Sequence, residues 1–345
     1  MLSGADGRST AMTGNSFERN PQVDIALIGS GRGARHAEWL TECPGFTVLE
    51  PDTDPLALIR REGLDAVVVA TPTHAHAELV TEALRRDLLV VCETPLAPGA
   101  PAALKLAELA ASLHGRAHVP FQWRENPALQ SARSSLLHGA IGELVALDIT
   151  LDDDSHAGPG TPSPWRESRG SAGGGALADL GCHAFDLLLW ATGVNTWEVT
   201  SAWLHRVHDS RRGPDGPVDV DVDDVAQVEL VPLGHPARAR VMVSRVTPER
   251  RKLEFSALGT RGTLRVVADT RDGSAVLTLT TGGRTRQEQT GPHPMNPYRR
   301  LADDLATGTV TLATFDDGLA AVNLMDAAHR RATEAHRTGH VAEDR

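Results

Sequence analysis

The segment Val23–Ala34, VDIALIGSGRGA, passes without a break from an apolar run into a glycine-rich turn. Unbroken apolarity over Val23–Gly29 is what a strand covered on both faces needs, and such strands belong to parallel sheets flanked by helices. The spacing predicts a helix over Gly33–Thr41, so the turn joins a strand end to a helix start. The same rhythm continues. Strands are predicted at Phe46–Glu50, Asp65–Ala70 and Leu88–Cys92, with helices at Pro55–Glu62, Ala75–Arg86 and Pro101–Leu113. Strands alternating with helices build right-handed crossover units and a doubly wound parallel sheet.

Beyond about Ala117 the rhythm changes. A helix at Ala128–His138 precedes alternating runs at Leu144–Leu151, Trp197–His208, Val218–Val231, Ala239–Val246, Lys252–Ala257, Gly262–Ala268 and Ala275–Thr281. Strands in succession predict an open, mostly antiparallel sheet with one wet face. A helix at Gly175–Thr192 interrupts them, and helices near Pro297–Ala306 and Asp317–Thr338 follow. Asp152–Gly175 and Ser210–Gly216 read as surface loops. The alternation VDVDVDD over Val218–Asp224 reads as a half-exposed strand rather than a cation site.

Acidic residues outnumber basic ones, 45 to 34, for a net charge of −11. That balance, with few aromatics, argues against nucleic acid and anionic membranes as partners, since both want a clustered positive face. Cys43, Cys92 and Cys182 are too scattered for a disulfide framework or a metal knuckle, which predicts a cytoplasmic protein. No apolar run reaches the roughly 18 residues of a membrane span. Residues 1–22 show no basic-then-apolar secretion signal and read as a flexible tail. Only Lys105 and Lys252 are lysines, so a lysine-dependent mechanism has two candidates.

Gly29, Gly31 and Ala34 satisfy the G-x-G-x-x-G/A pattern. Gly29 permits the tight turn, Gly31 lets backbone approach a pyrophosphate, and Ala34 allows close helix–strand packing. The alternative is a tight turn with no ligand. An acid near the end of strand two holds a ribose hydroxyl in dinucleotide sites, and Glu50 or Asp52 lies at that distance, which favours NAD over NADP. The predicted fold class is therefore α/β, a Rossmann-like doubly wound parallel sheet followed by an α+β domain with an open, mostly antiparallel sheet. A dinucleotide-binding domain spans 23–117 and a substrate-binding and oligomerisation domain 118–340, with the ligand cleft at their boundary.

Further motifs follow in order: TPTHAHAE at Thr71–Glu78, VVCETP at Val90–Pro95, FQWRENPAL at Phe121–Leu129, GAIGEL at Gly139–Leu144, GGGALADLGCHAFD at Gly173–Asp186 and NPYRRLADDL at Asn296–Leu305. With the glycine turn, they resemble the Gfo/Idh/MocA family of NAD(P)-dependent sugar and cyclitol oxidoreductases, from about Val23 to Thr338. The resemblance implies that Thr71, Pro72 and His76 line the cofactor, with Glu93 beside them. It implies that Asp179 and His183 belong to the catalytic constellation, and i,i+4 spacing puts both on one helix face. Alcohol oxidation releases a hydride and a proton, so His183 is the candidate acid/base and Asp179 its orienting partner. A metal set of Asp179, His183 and Asp186, joined by His74 and His76, is the rival reading.

Two departures stand out. The family's Glu-Lys-Pro tripeptide reads Glu93-Thr94-Pro95 here, and Thr94 can contact substrate but supplies neither cation nor amine. Lys105 and Lys252 are placed too poorly to replace that lysine, whereas Arg124 or Arg166 can position an anionic substrate. Between Glu50 and Asp65 there is room for one helix where the family usually has a further helix and strand. The chain is thus expected to bind NAD or NADP and a small-molecule substrate, and to form homo-oligomers through its open sheet. A non-redox lyase or isomerase, or a binding protein on the same scaffold, is the alternative.

Overall fold

The computed structural model describes residues 22–112, 116–160 and 164–343, so the expected tail lies outside the described residues save for Gln22. Five parallel strands form the first sheet: β1 Val23–Ile28, β2 Phe46–Val48, β3 Ala66–Val69, β4 Leu89–Cys92 and β5 Ala117–His118. Their order is β2-β1-β3-β4-β5. Helices α1 Arg32–Thr41, α2 Pro55–Ile59, α3 His76–Arg85 and α4 Ala100–Ala110 alternate with them. β3 and β4 are buried along their whole length, as strands covered on both faces must be. Because one helix joins β2 to β3, β3 pairs directly with β1, and the strand order reverses between them. Gly29 and Ala70 stand at that switch point, where open α/β sheets bind their ligands.

After α5 (Pro127–Leu137) come β6 (Leu144–Asp152), α6 (Arg169–Ala172), a wide turn at Leu177–Gly181 and α7 (Cys182–Thr192). The strands β7 Trp197–His205, β10 Val225–Pro232, β11 Arg238–Ser244, β12 Lys252–Gly259, β13 Gly262–Asp269, β14 Ala275–Thr281 and β15 Arg284–Thr290 join β6 in one sheet; between them in sequence lie β8 Ser210–Gly213 and β9 Gly216–Asp219. The order is β15-β14-β13-β12-β6-β11-β10-β7. All neighbours are antiparallel except β6 and β11. One face is buried, and the other carries ion pairs such as Arg240–Asp148 and Arg265–Glu254.

Three sequence expectations are corrected. Ser210–Gly216 is no loop, because β8 and β9 pair as a hairpin. Val218–Val231 is no continuous strand: Asp219 and Asp221 are exposed between buried Val220 and Val222, as a half-wet alternation requires, but Asp223 and Asp224 are buried and accept hydrogen bonds that fix other segments. The loop Asp152–Gly175 contains short helical turns at Pro164–Glu167 and Arg169–Ala172. Finally, α8 (Pro297–Thr307) and α9 (Phe315–Glu343) return to the first domain. Tyr298 and Leu301 share a core with β1, β3 and β4, and Asp326 of α9 accepts from the Ala100 amide at the start of α4.

Candidate functional site

The glycine turn has the geometry of an anion cradle. Gly29 sits at φ 126° with its carbon against the Ala70 carbonyl, where a Cβ would collide. Gly31 caps α1 at φ 67° with open space where a side chain would stand, so backbone can approach a ligand there. Ala34 is exposed, and the buried residue of that helical turn is Gly33, so close packing at the third motif position falls one residue earlier. Opposite, the Thr71 hydroxyl is buried without a hydrogen-bond partner. An orphaned hydroxyl beside an open glycine turn fits a dinucleotide laid across the switch point. Glu50 is exposed just past β2, while Asp52 accepts from the Asp54 amide and is used in its own turn. His76 is buried, its two ring nitrogens facing the carbonyls of Thr71 and Pro95, and burial pushes its pKa down. It ties the two segments together.

The chemistry gathers where β4 ends. Thr94 Oγ1 lies 3.2 Å from His183 Nε2. Glu93 Oε2 accepts from the Thr94 amide at 2.8 Å, and Glu93 Oε1 lies 2.9 Å from His36 Nε2. His36 in turn meets the Tyr298 hydroxyl at 2.7 Å. Burial favours the neutral form of Glu93, but Arg32 and His36 outweigh it and hold its carboxyl well below the usual range. Burial, and then the charge of Arg32, push the His183 imidazole down to about 4. The ring is therefore a neutral base at physiological pH, and its Nδ1 is buried with no partner. Cys182 beside it is pushed up to about 12 by burial, so it is an inert thiol.

Asp179 sits beside this group but does not orient His183. Its Oδ1 accepts from Arg32 at 2.8 Å and from Arg166 at 2.6 Å. Those two guanidinium groups overcome burial and keep its carboxyl far below the ordinary carboxylate range. Arg166 stacks on Trp165. Its carbonyl is held by Arg245, which belongs to a buried network with Arg211, Asp224 and Glu167. Thus Asp224, the last residue of the acidic run, anchors the loop that carries Arg166. Asp223 accepts from the amides of Gly175 and Leu177, fixing the turn that presents Asp179 and His183.

Other candidates fall elsewhere. Arg124 is paired with Asp186 at 3.0 and 2.5 Å and with Asp317 at 2.9 Å. With Asp186 and His76 so engaged, the rival metal set does not assemble; among the described residues no group of three or more His, Cys, Asp or Glu is arranged for a metal. Lys105 is exposed on α4 and Lys252 pairs with Glu254. Arg32 was not among the residues singled out from sequence, although it lies inside the glycine motif. His36 and Tyr298 likewise carry no local signal of their pairing across 262 positions.

Residues 2–121 match the model of an oxidoreductase family described as having an NAD-binding Rossmann fold, and residues 129–265 match the GFO/IDH/MocA C-terminal domain. An inositol 2-dehydrogenase of Acidothermus cellulolyticus is 32% identical over 253 residues, 64% of this chain and 70% of that protein. A levoglucosan dehydrogenase of Pseudarthrobacter phenanthrenivorans is 28% identical over 227 residues, 61% of this chain; the match spans only 57% of that relative's length. The solved complex of a levoglucosan dehydrogenase with NADH and levoglucosan superposes with a TM-score of 0.81 at 22% identity, covering 90% of this chain and 97% of that one. An oxidoreductase domain protein from Kribbella flavida gives the same TM-score at 24% identity, covering 91% and 98%. Among the described residues no helix is long and apolar enough to cross a membrane.

Proposed function

The chain belongs to the Gfo/Idh/MocA family of oxidoreductases, and from that premise we propose that it transfers a hydride between a nicotinamide dinucleotide and a hydroxyl-bearing carbon of a sugar-like or cyclitol-like molecule. The observation that carries this reading is the Thr94–His183 contact beside the glycine turn: a neutral, buried imidazole within reach of the cofactor cradle. A bound nicotinamide supplies the hydride acceptor or donor. Gly29, Gly31, Thr71 and Pro72 hold it, and exposed Glu50 at the end of β2 favours an unphosphorylated ribose, hence NAD over NADP. His183 takes the hydroxyl proton, Thr94 fixes the ring, and Asp179 stands with its two arginines at the substrate's edge. The names of the dehydrogenase relatives support polyhydroxylated substrates. Three free, buried cysteines support a reducing compartment. A second copy of the chain is the proposed partner for the open sheet face, where Trp203 and Leu258 stand half-exposed among charges.

The test is a fluorescence titration with NADH and NADPH, followed by a screen of inositols and anhydrosugars for reduced-nicotinamide absorbance. Binding in the micromolar range with substrate-dependent reduction, abolished in His183→Ala without loss of NADH binding, is expected. NADH binding with turnover but no net absorbance change would point instead to a non-redox lyase or isomerase.

A further inference from the structure

The family-like tripeptide lacks its lysine, yet the site is not without a cation. We propose that Arg32, reaching out of the glycine turn, is the fixed positive charge of this site and steadies the negative charge that builds on the substrate oxygen as its proton passes to His183. This rests on the hydride-transfer reading above. Arg32 is the first residue of α1, and its side chain is one-third exposed. Nη1 donates to Glu93 Oε2 at 3.1 Å and Nη2 to Asp179 Oδ1 at 2.8 Å, so the guanidinium bridges the two domains across the cleft. The same Glu93 oxygen accepts from the Thr94 amide. One carboxylate oxygen therefore separates Arg32 from Thr94, the position where the charge is missing. A cavity of about 430 Å³ is lined by Arg32 and Glu93 together with Trp39 and Trp123, so the partly exposed guanidinium borders space a ligand can enter.

The chemistry needs such a group. In the oxidising direction the carbinol C–H pair leaves with its hydrogen to the nicotinamide, the O–H proton goes to the imidazole, and the C–O bond becomes a carbonyl. Negative charge on that oxygen rises along the way, and a preorganised donor aimed at it is worth roughly 10²–10³ in kcat. Arginine supplies charge and donors but cannot relay a proton, because it stays ionised. Proton transfer is then left to His183 alone. The groups facing His183 are Arg32 from α1, Glu93 and Thr94 after β4, the Phe121 ring, and Asp179 and Cys182 on its own segment. Of the cations, Arg32 is the one that disfavours the charged imidazole, while Arg166 is directed to Asp179.

The experiment compares Arg32→Met, Arg32→Lys and Arg166→Gln. Three quantities are read: NADH dissociation constant by fluorescence, kcat with the best polyol, and the His183 imidazole titration by NMR on the ligand-free protein. Arg32→Met should lower kcat by 10²–10³ while NADH affinity changes by less than about threefold. The His183 titration should move up toward its ordinary value. Arg32→Lys should retain most activity. The proposal is overturned if NADH affinity falls in step with kcat, which would make Arg32 a phosphate ligand only. It is equally overturned if Arg166→Gln reproduces the whole effect while Arg32→Met does not, or if the imidazole titration stays put in Arg32→Met. Should the unaltered protein bind NADH but reduce no substrate, the hydride-transfer reading fails, and the imidazole titration still decides whether Arg32 sets the charge at His183.

Discussion

Thr94 holds His183 by one hydroxyl, and no other side chain among the described residues meets the ring's Nε2. Removing that oxygen at constant shape leaves a buried ring nitrogen unpaired, which costs about 1–3 kcal/mol. Thr94→Val is therefore expected to lower kcat by about 10- to 100-fold with NADH binding unchanged, as steady-state kinetics and a fluorescence titration would show; equal loss of both would place Thr94 in cofactor binding instead. The low imidazole pKa sets the pH profile. A base acts only when unprotonated, and burial together with Arg32 holds His183 near 4. Alcohol oxidation should stay level from pH 8 to about 5 and fall tenfold per unit below about 4, where an unperturbed histidine would begin to lose rate near 6.5. A midpoint close to 6.5 in kcat/KM would show that a different group is the base. At this scale the sequence disclosed which residue types stand in the site, because motifs list them in order. It did not disclose who pairs with whom: Arg32 and Asp179 lie 147 positions apart, so the expected Asp179–His183 pair gave way to a contact no local pattern encodes.

The element that presents Asp179 and His183 starts at a crowded place. Gly175 backs onto the Asp223 main chain so closely that a Cβ would collide, and the Asp223 carboxylate accepts from Gly175 at 3.0 Å and Leu177 at 2.7 Å. That is the work of a helix cap done from a distant strand end. Asp223→Ala should destabilise the protein by about 1–2 kcal/mol in urea unfolding, and kcat should fall because the turn holding Asp179 and His183 loosens. Full activity with full stability would mean that the turn holds itself. The alternation around Asp223 is legible as a strand but not as a cap, since period two looks the same whether the polar face meets water or a buried amide. β15 was missed for a related reason: RTRQEQT has no apolar residue, and its pairing with β14 depends on backbone groups. The first four strands were easier, because burial, complete in β3 and β4, calls for apolar runs that contrast with the helices between them, whereas the two-residue β5 is too short to leave such a run.

Across the whole molecule, the two domains share their interiors. Tyr298, Leu301 and Leu312, far along the chain, complete the core beneath β1, β3 and β4, and the Tyr298 hydroxyl bonds His36 on α1. On the opposite side of the same sheet, Gly318 of α9 packs against Leu96 and Val119, and Asp326 caps α4. A fragment ending at residue 117 would expose both faces that these helices cover. Buried aliphatic and aromatic side chains contribute about 1.5–3 kcal/mol each, and a domain's net stability is only about 5–15 kcal/mol. Losing several such contacts at once removes a large share of it. The chain is therefore expected to unfold in one transition, with tryptophan fluorescence and far-ultraviolet circular dichroism giving the same urea midpoint, and with NADH moving both together. A fragment of residues 22–117 should lack a cooperative transition. Two separated transitions, or a fragment that unfolds cooperatively at the midpoint of the full chain, would mean that the returning helices decorate the first domain rather than complete it.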